Sequence, residues 1–321
     1  MKTHLLHFTL CGICLCMFAF GNASAAPQAS KTAGAGANVL QFPSNYSLGE
    51  LYLVKPDAGS GLSDPPCTTH SPARGPMRFP PGTKLLLKVR FEGAQHLADL
   101  DKLAPDSLYG INLKRLEFTD DDLKHIGRLT GLRHLELEGT DTSDKGVINF
   151  ETLKNLQFLG IDKTMISGAA LKSIGKHTAL VNLVIGHNSL DDESYKYLIG
   201  LKNIVNLQVD FVHMSDKAVD YIKKIPSIRV LKICGNNRIT DAAIAKLQAS
   251  KIEMINAQQT GVGPDSLAYF SKMPRLQALK LEAKNFSPAQ KKQFRQKLPK
   301  VSFQFAGKEK NLPEDLFEPL H

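Results

Sequence analysis

Apolar residues recur along this chain at a fixed step. Leu108, Leu132, Leu156, Leu180, Ile204, Ile228, Ile252 and Leu276 stand 24 residues apart. Three positions after each stand Ile111, Leu135, Leu159, Leu183, Leu207, Leu231, Ile255 and Leu279. Two positions further stand Leu113, Leu137, Ile161, Ile185, Val209, Ile233, Ala257 and Leu281. The frame L-x-x-L-x-L thus holds through eight consecutive units. Its second half alternates with the period of two that marks a strand with one buried face.

The rest of each unit is nearly as regular. Counting the first Leu as position zero, position 10 is mostly apolar: Phe118, Ile166, Leu190, Met214, Val262 and Phe286. Position 11 carries Thr119, Ser143, Ser167, Asp191, Ser215, Gly263 or Ser287. Such residues favour the N-cap, where a side-chain oxygen accepts from the free amides of a starting helix. Position 12 is often Asp, and proline at Pro264 and Pro288; both suit a first helical turn. Apolar residues follow at helical spacing, as in Leu123, Ile126, Leu129 and in Val219, Ile222, Ile225. Each unit therefore reads as strand, turn, capped helix and return.

One such unit cannot bury its own apolar stripe, but stacked units bury it against each other. Paired strands need ~4.8 Å and packed helices ~10 Å. The pattern predicts an α/β solenoid curved into a horseshoe, with parallel strands on the concave face and helices on the convex face. Lys84 with Leu87 and Val89, and Lys300 with Phe303 and Phe305, fall on the same register. They are the expected end strands, making ten, with the repeats covering 84–305. Terminal repeats are atypical because one side meets water. Residues 306–321 are expected as a tail across the last repeat. One unit breaks step: a residue is inserted between Cys234 and Thr240, and the register recovers at Ile252. The following helix is expected to be one residue short.

Ahead of the repeats, residues 1–25 read as a cleaved signal peptide, with Lys2, an apolar run from Leu5 to Phe20, and Ala23-Ser24-Ala25. An uncleaved anchor is the alternative. The expected location is secreted or periplasmic. Residues 26–45, rich in Ala, Gly, Ser and Gln, are expected as a flexible leader. Residues 46–83, with alternation from Leu48 to Val54 and a Pro- and Gly-rich loop, are expected as a small N-terminal β cap.

Ile228-Arg-Val-Leu-Lys-Ile233 followed by Arg238-Ile-Thr-Asp241 resembles the leucine-rich repeats of bacterial proteins, with their T-x-I-T-D-x-x-L turn. Leu116 to Leu123 and Thr140 to Asp144 look like the same turn. Leu48 to Tyr52, Pro80 to Leu85 and Leu97 to Leu108 are similar to the leader before such repeats. The resemblance implies a binding scaffold whose partners are set by surface residues.

Composition refines this picture. The 321 residues include 40 Lys and Arg against 31 Asp and Glu, a net charge of +9. Most lysines fall in the helical halves of their units. A nucleic-acid binder needs a contiguous basic stripe with aromatics, so no nucleic-acid partner is expected. Lys291, Lys292 and Arg295 on the last helix are the exception. They suggest a weak contact with an anionic surface, and an envelope-associated structural protein as the alternative function. Outside the signal, Cys67 and Cys234 are the remaining cysteines. Either a single bridge or two separate thiols fits.

Positions 2, 4 and 6 of each unit point away from the core, to the concave face. The candidate protein-binding residues there are His134, Glu136, Glu138, Phe158, Asp162, Asn182, Asn206, Gln208, Asp210, Val230, Lys232, Met254 and Asn256. Phe158, Phe211, Val230 and Met254 are the candidate apolar anchors. The histidines lack metal-ligand spacing. A His187–Asp210–Cys234 grouping is geometrically conceivable, but no oxyanion site accompanies it. The expectation is a monomeric, non-catalytic module that binds a protein and uses no cofactor.

Overall fold

Every unit lays down one short strand beside the last. The computed structural model describes residues 38–55 and 65–306; the expected signal peptide and residues 307–321 lie outside them. The N-terminal strands are β1 (Asn38–Gln41), β2 (Gly49–Val54), β3 (Cys67–Pro72) and β4 (Pro76–Phe79). The repeat strands begin with β5 (Leu85–Val89), β6 (Gly110–Asn112), β7 (His134–Glu136), β8 (Phe158–Gly160) and β9 (Asn182–Val184). They continue with β10 (Asn206–Gln208), β11 (Val230–Lys232), β12 (Met254–Ala257), β13 (Ala278–Glu282) and β14 (Ser302–Ala306).

Among the described residues, β5 to β14 are ten strands running parallel, in sequence order, in one sheet. The register is the sequence period itself: Leu183 pairs with Leu207, and Leu207 with Leu231. The frame leucines and isoleucines are buried throughout. Each fully buried Leu is worth ~1.5–3 kcal/mol over an exposed one. The architecture is an α/β leucine-rich-repeat solenoid.

Short helices return the chain between strands. Ser143 and Thr240 cap theirs, each hydroxyl accepting from an amide two residues on at 3.2 Å. Ser167 and Ser215 make the same bond at 3.2 and 3.3 Å, but in a turn ahead of helices that begin only at Ala170 and Val219, so they are not the caps expected. The return over Asp192–Leu198 is a 3₁₀ helix rather than an α-helix. A 3₁₀ helix rises ~2.0 Å per residue against ~1.5 Å, so its seven residues reach further along the return than seven α-helical residues would.

Position 12 joins neighbouring units. The Asp120 carboxylate accepts from the amide of Ser143 at 2.9 Å, and Asp192 and Asp216 hold Ser215 and Thr240 by amide bonds of 2.8 Å each. Gly168 interrupts this column. A Cβ there would stand 2.0 Å from the Asp191 carboxylate, which fills the place from the following unit. Position 7 holds a second regularity. Arg115, Gly139, Lys163, His187, Phe211, Gly235 and Gln259 all have φ between 51° and 73°. Two of these seven are glycine, so the tight strand-to-turn corner forces ordinary residues into the left-handed region.

Three further expectations need correction. The segment 26–45 is not flexible to its end: β1 pairs antiparallel with β4, and Leu40 and Phe42 are buried. Two apolar side chains in an otherwise polar stretch suffice to anchor it. The helix after the irregular unit is not shortened. It spans the seven residues Asp241–Leu247, and the lost residue comes from the return turn, where Lys251 alone separates Ser250 from Ile252. The last strand runs through Ala306, one residue past the expected end of the repeats. At the other end β2 and β3 extend the sheet antiparallel beyond β5, so the cap supplies strands to the edge.

Candidate binding surface

The strands place the candidate residues in lateral rows. His134, Phe158, Asn182, Asn206, Val230 and Met254 are paired neighbours from β7 to β12. Glu136, Gly160, Val184, Gln208, Lys232 and Asn256 form the next row. Alternation puts both rows on the face opposite the leucine core.

The two ends of these rows differ. At β7 and β8 the side chains are sealed. His134 is 2% exposed and stacks on Phe158, with ring centroids 4.5 Å apart. Phe158 is 1% exposed, so it does not stand as the open anchor expected from its position. From β9 to β12 the side chains are half-buried: Asn182, Asn206, Gln208, Asp210, Val230, Lys232, Met254 and Asn256. The Asn206 side-chain oxygen is buried and has no hydrogen-bond partner among the described residues. Phe211 is 37% exposed and stacks on His187 at 4.8 Å. The candidate anchors thus separate into a buried one, Phe158, and three that solvent reaches.

An acidic group lies at the sealed end. Oxygens of Glu136, Glu138 and Asp162 lie within 4.8 Å of one another. Lys114 supplies counter-charge, its ammonium 3.4 Å from Glu136 and 3.3 Å from Glu138; Lys163 reaches Glu138 at 3.5 Å. Glu136 lies over Gly160, where a Cβ would stand 2.0 Å from its carboxylate. Burial pushes the Glu136 carboxyl up to about 8, against the opposing pull of Lys114. Burial raises Asp162 as well, and neighbouring Glu138 adds to it. Glu138 goes the other way: burial would raise it, but Lys114 and Lys163 together hold it below the usual range. The sequence flagged these carboxylates. It did not flag Gly160, whose importance lies in the neighbouring strand's side chain.

The surroundings of Cys234 in the His187–Asp210–Cys234 grouping work against a nucleophilic thiolate. An Asp210 oxygen accepts from the Cys234 backbone amide at 2.7 Å. Burial and the Asp210 carboxylate push the Cys234 thiol up to about 11, which disfavours the thiolate that nucleophilic attack needs. Cys67 and Cys234 are not bridged to each other.

The basic last helix, Pro288–Lys297, does not present its three candidates together. Lys291 is buried, with its ammonium 5.6 Å from the centroid of the Phe305 ring, and Arg295 lies 5.4 Å from the same ring. Lys292 is exposed. Helical geometry turns Lys291 inward because Phe294 and Phe305 need a cover.

A strand–turn–helix unit repeated every 24 residues, with parallel strands in exact register, decides the fold. The chain has the leucine-rich-repeat fold. No protein-family model matches it, and no curated protein matches it. Solved structures do resemble it. A chain of the yeast Rad7–Elc1 complex aligns with a TM-score of 0.50 and 15% identity, covering 64% of this chain and 56% of that one. An internalin of Listeria monocytogenes, inlF, aligns with a TM-score of 0.47 and 16% identity, over 66% of this chain and 71% of that one. A leucine-rich-repeat protein of Leptospira interrogans aligns with a TM-score of 0.41 and 16% identity, over 65% of this chain. This chain covers 62% of that protein, under two thirds of its length. In this leucine-rich-repeat chain the candidate residues lie in the outward rows of the strands, sealed at β7 and β8 and half-buried from β9 to β12.

Proposed function

We propose that this leucine-rich-repeat chain is a non-catalytic scaffold that binds a protein partner outside the cytoplasm, through the strand face opposite its core. The observation that carries this reading is Asn206. Its buried, unpartnered oxygen sits in the middle of that face between Asn182 and Val230. A buried polar atom left unpaired costs ~1–3 kcal/mol, and an N–H from a bound polypeptide removes that cost. Around it the face alternates amides with apolar groups: Asn182, Gln208 and Asn256 with Val184, Val230 and Met254. That mixture of apolar anchor and adaptable hydrogen-bonding group suits protein recognition. The export reading rests on residues 1–25, and the fold's use of partners in the Rad7–Elc1 complex is in keeping with a binding role.

The test is photo-crosslinking from position 208, which leaves Asn206 in place, in the native compartment, with Val230→Glu and Met254→Glu as disrupting variants. A single crosslinked partner that disappears in both variants, with unchanged circular dichroism, supports the reading. The control Lys172→Glu, on the helical side, should keep it. Equal crosslinking in all four proteins would overturn the choice of face.

A further inference from the structure

The return turns close in one manner. The amides of Leu129, Leu153, His177, Leu201, Ile225 and Met273 each donate to the carbonyl three residues earlier, and all six side chains are buried. In the irregular unit the same bond runs from Ser250 to Leu247, at 2.8 Å. Ser250 therefore occupies the place that a large side chain fills in the other units, and its turn is a residue shorter.

A cleft of about 240 Å³ opens at this point, walled by Ile222, Ile225, Leu247 and Ile252. The volume is somewhat below the ~300 Å³ at which clefts for drug-sized ligands begin. The Ser250 hydroxyl is buried there and has no hydrogen-bond partner among the described residues. The polar rim is cationic: Lys223, Lys246 and Lys251 line it, and no acidic residue does. Asp220 already holds Lys223 and Lys246, at 2.7 Å each. Lys251 stands exposed at the mouth.

We propose that this cleft binds a single-chain aliphatic carboxylate of medium length. The hydrocarbon takes the place of the missing apolar side chain, and the carboxylate meets Lys251 at the rim. The narrow volume admits one chain, which selects a free fatty acid over a two-chain lipid. The cleft belongs to the helix-to-strand return and is independent of the strand-face reading above.

The test is titration of the full chain with sodium octanoate, followed by amide chemical shifts and calorimetry. Saturable one-site binding with shifts at Ile225, Leu247 and Ser250 is expected. Each buried methylene adds about fourfold in affinity, so butanoate should bind at least tenfold more weakly. Ser250→Leu, which fills the cleft, should abolish binding. Lys251→Ala, a surface change that leaves the core intact, should weaken it about tenfold, as should replacing octanoate by octan-1-ol. The proposal fails if octanoate does not saturate the wild-type chain, or if folded Ser250→Leu binds as wild type does. Equal binding of octan-1-ol and octanoate, or wild-type affinity in Lys251→Ala, would overturn the assigned head group.

Discussion

The carboxylate of Asp144 accepts hydrogen bonds from both the amide and the hydroxyl of Ser167, at 2.8 and 2.6 Å, across 23 residues of sequence. Ser167 at the same time holds the turn that leads into its own helix, its hydroxyl accepting from the Ala169 amide. One side chain thus fixes the turn into the next unit's helix, and the contact recurs because both residues recur.

Asp144→Ala should lower stability by about 2 kcal/mol, the range for hydrogen bonds to a charged group. Asp141→Ala, at an exposed position nearby, should stay within ~0.5 kcal/mol. Urea unfolding of both variants checks this; equal losses would mean the clamp contributes nothing of its own.

Gln259 holds a left-handed backbone with φ 51° while its side chain is exposed. Non-glycine residues lose ~1–2 kcal/mol in this conformation, partly offset in the comparison by the chain entropy of glycine. Gln259→Gly should therefore stabilise by about 0.5–1 kcal/mol. Gly139→Ala, at φ 70°, should destabilise by about 1 kcal/mol. A destabilised Gln259→Gly would show that its side chain is the stronger influence.

Glu136 has a folded pKa raised to about 8 from 4.5. The folded state therefore holds its proton more tightly than the unfolded state. This group's contribution is full below pH 4.5 and is lost as pH rises through about 8. Glu136→Gln should flatten the decline in stability between pH 5 and ~8.5, measured by urea midpoints at each pH. Gly160→Ala should cost about 1–3 kcal/mol by displacing the carboxylate, and less in a Glu136→Ala background. An additive double mutant would refute the contact.

His177 has the opposite sign. It is buried in a place that Leu129, Leu153 and Leu201 occupy in other units. Its Nδ1 lies 3.0 Å from the Leu153 carbonyl, while Nε2 is buried without a hydrogen-bond partner among the described residues. Burial holds its pKa below 6.5, so the unfolded chain takes up the proton first and stability falls as pH drops below 6.5. His177→Leu should remove that acid sensitivity and stabilise by about 1 kcal/mol at pH 5. Calorimetric melting at pH 5 and pH 7 distinguishes this from a plain packing change, which would shift both equally.

Much of this molecule is legible in one dimension. A repeat of 24 residues sets the strand register, since residues one unit apart become neighbours: Leu183, Leu207 and Leu231 pair as their numbers require. The cap at Ser143 and the ten-strand count follow from the same period, because local hydrogen bonding and burial act on residues close in the chain or one repeat away. The outward rows of candidate residues were readable for the same reason.

What tertiary structure decided is how those outward residues treat each other. Nothing in the pattern separates Phe158, sealed beside His134, from half-buried Val230, since both occupy position 2. The difference comes from side chains on adjacent strands and the space they leave, as Gly160 leaves room for Glu136. The inward turn of Lys291 over Phe305 and the hollow at Ser250 arise in the same way. Period and polarity dictate which face a residue joins; only the identities of its neighbours across the strands dictate whether it is covered, charged or reachable.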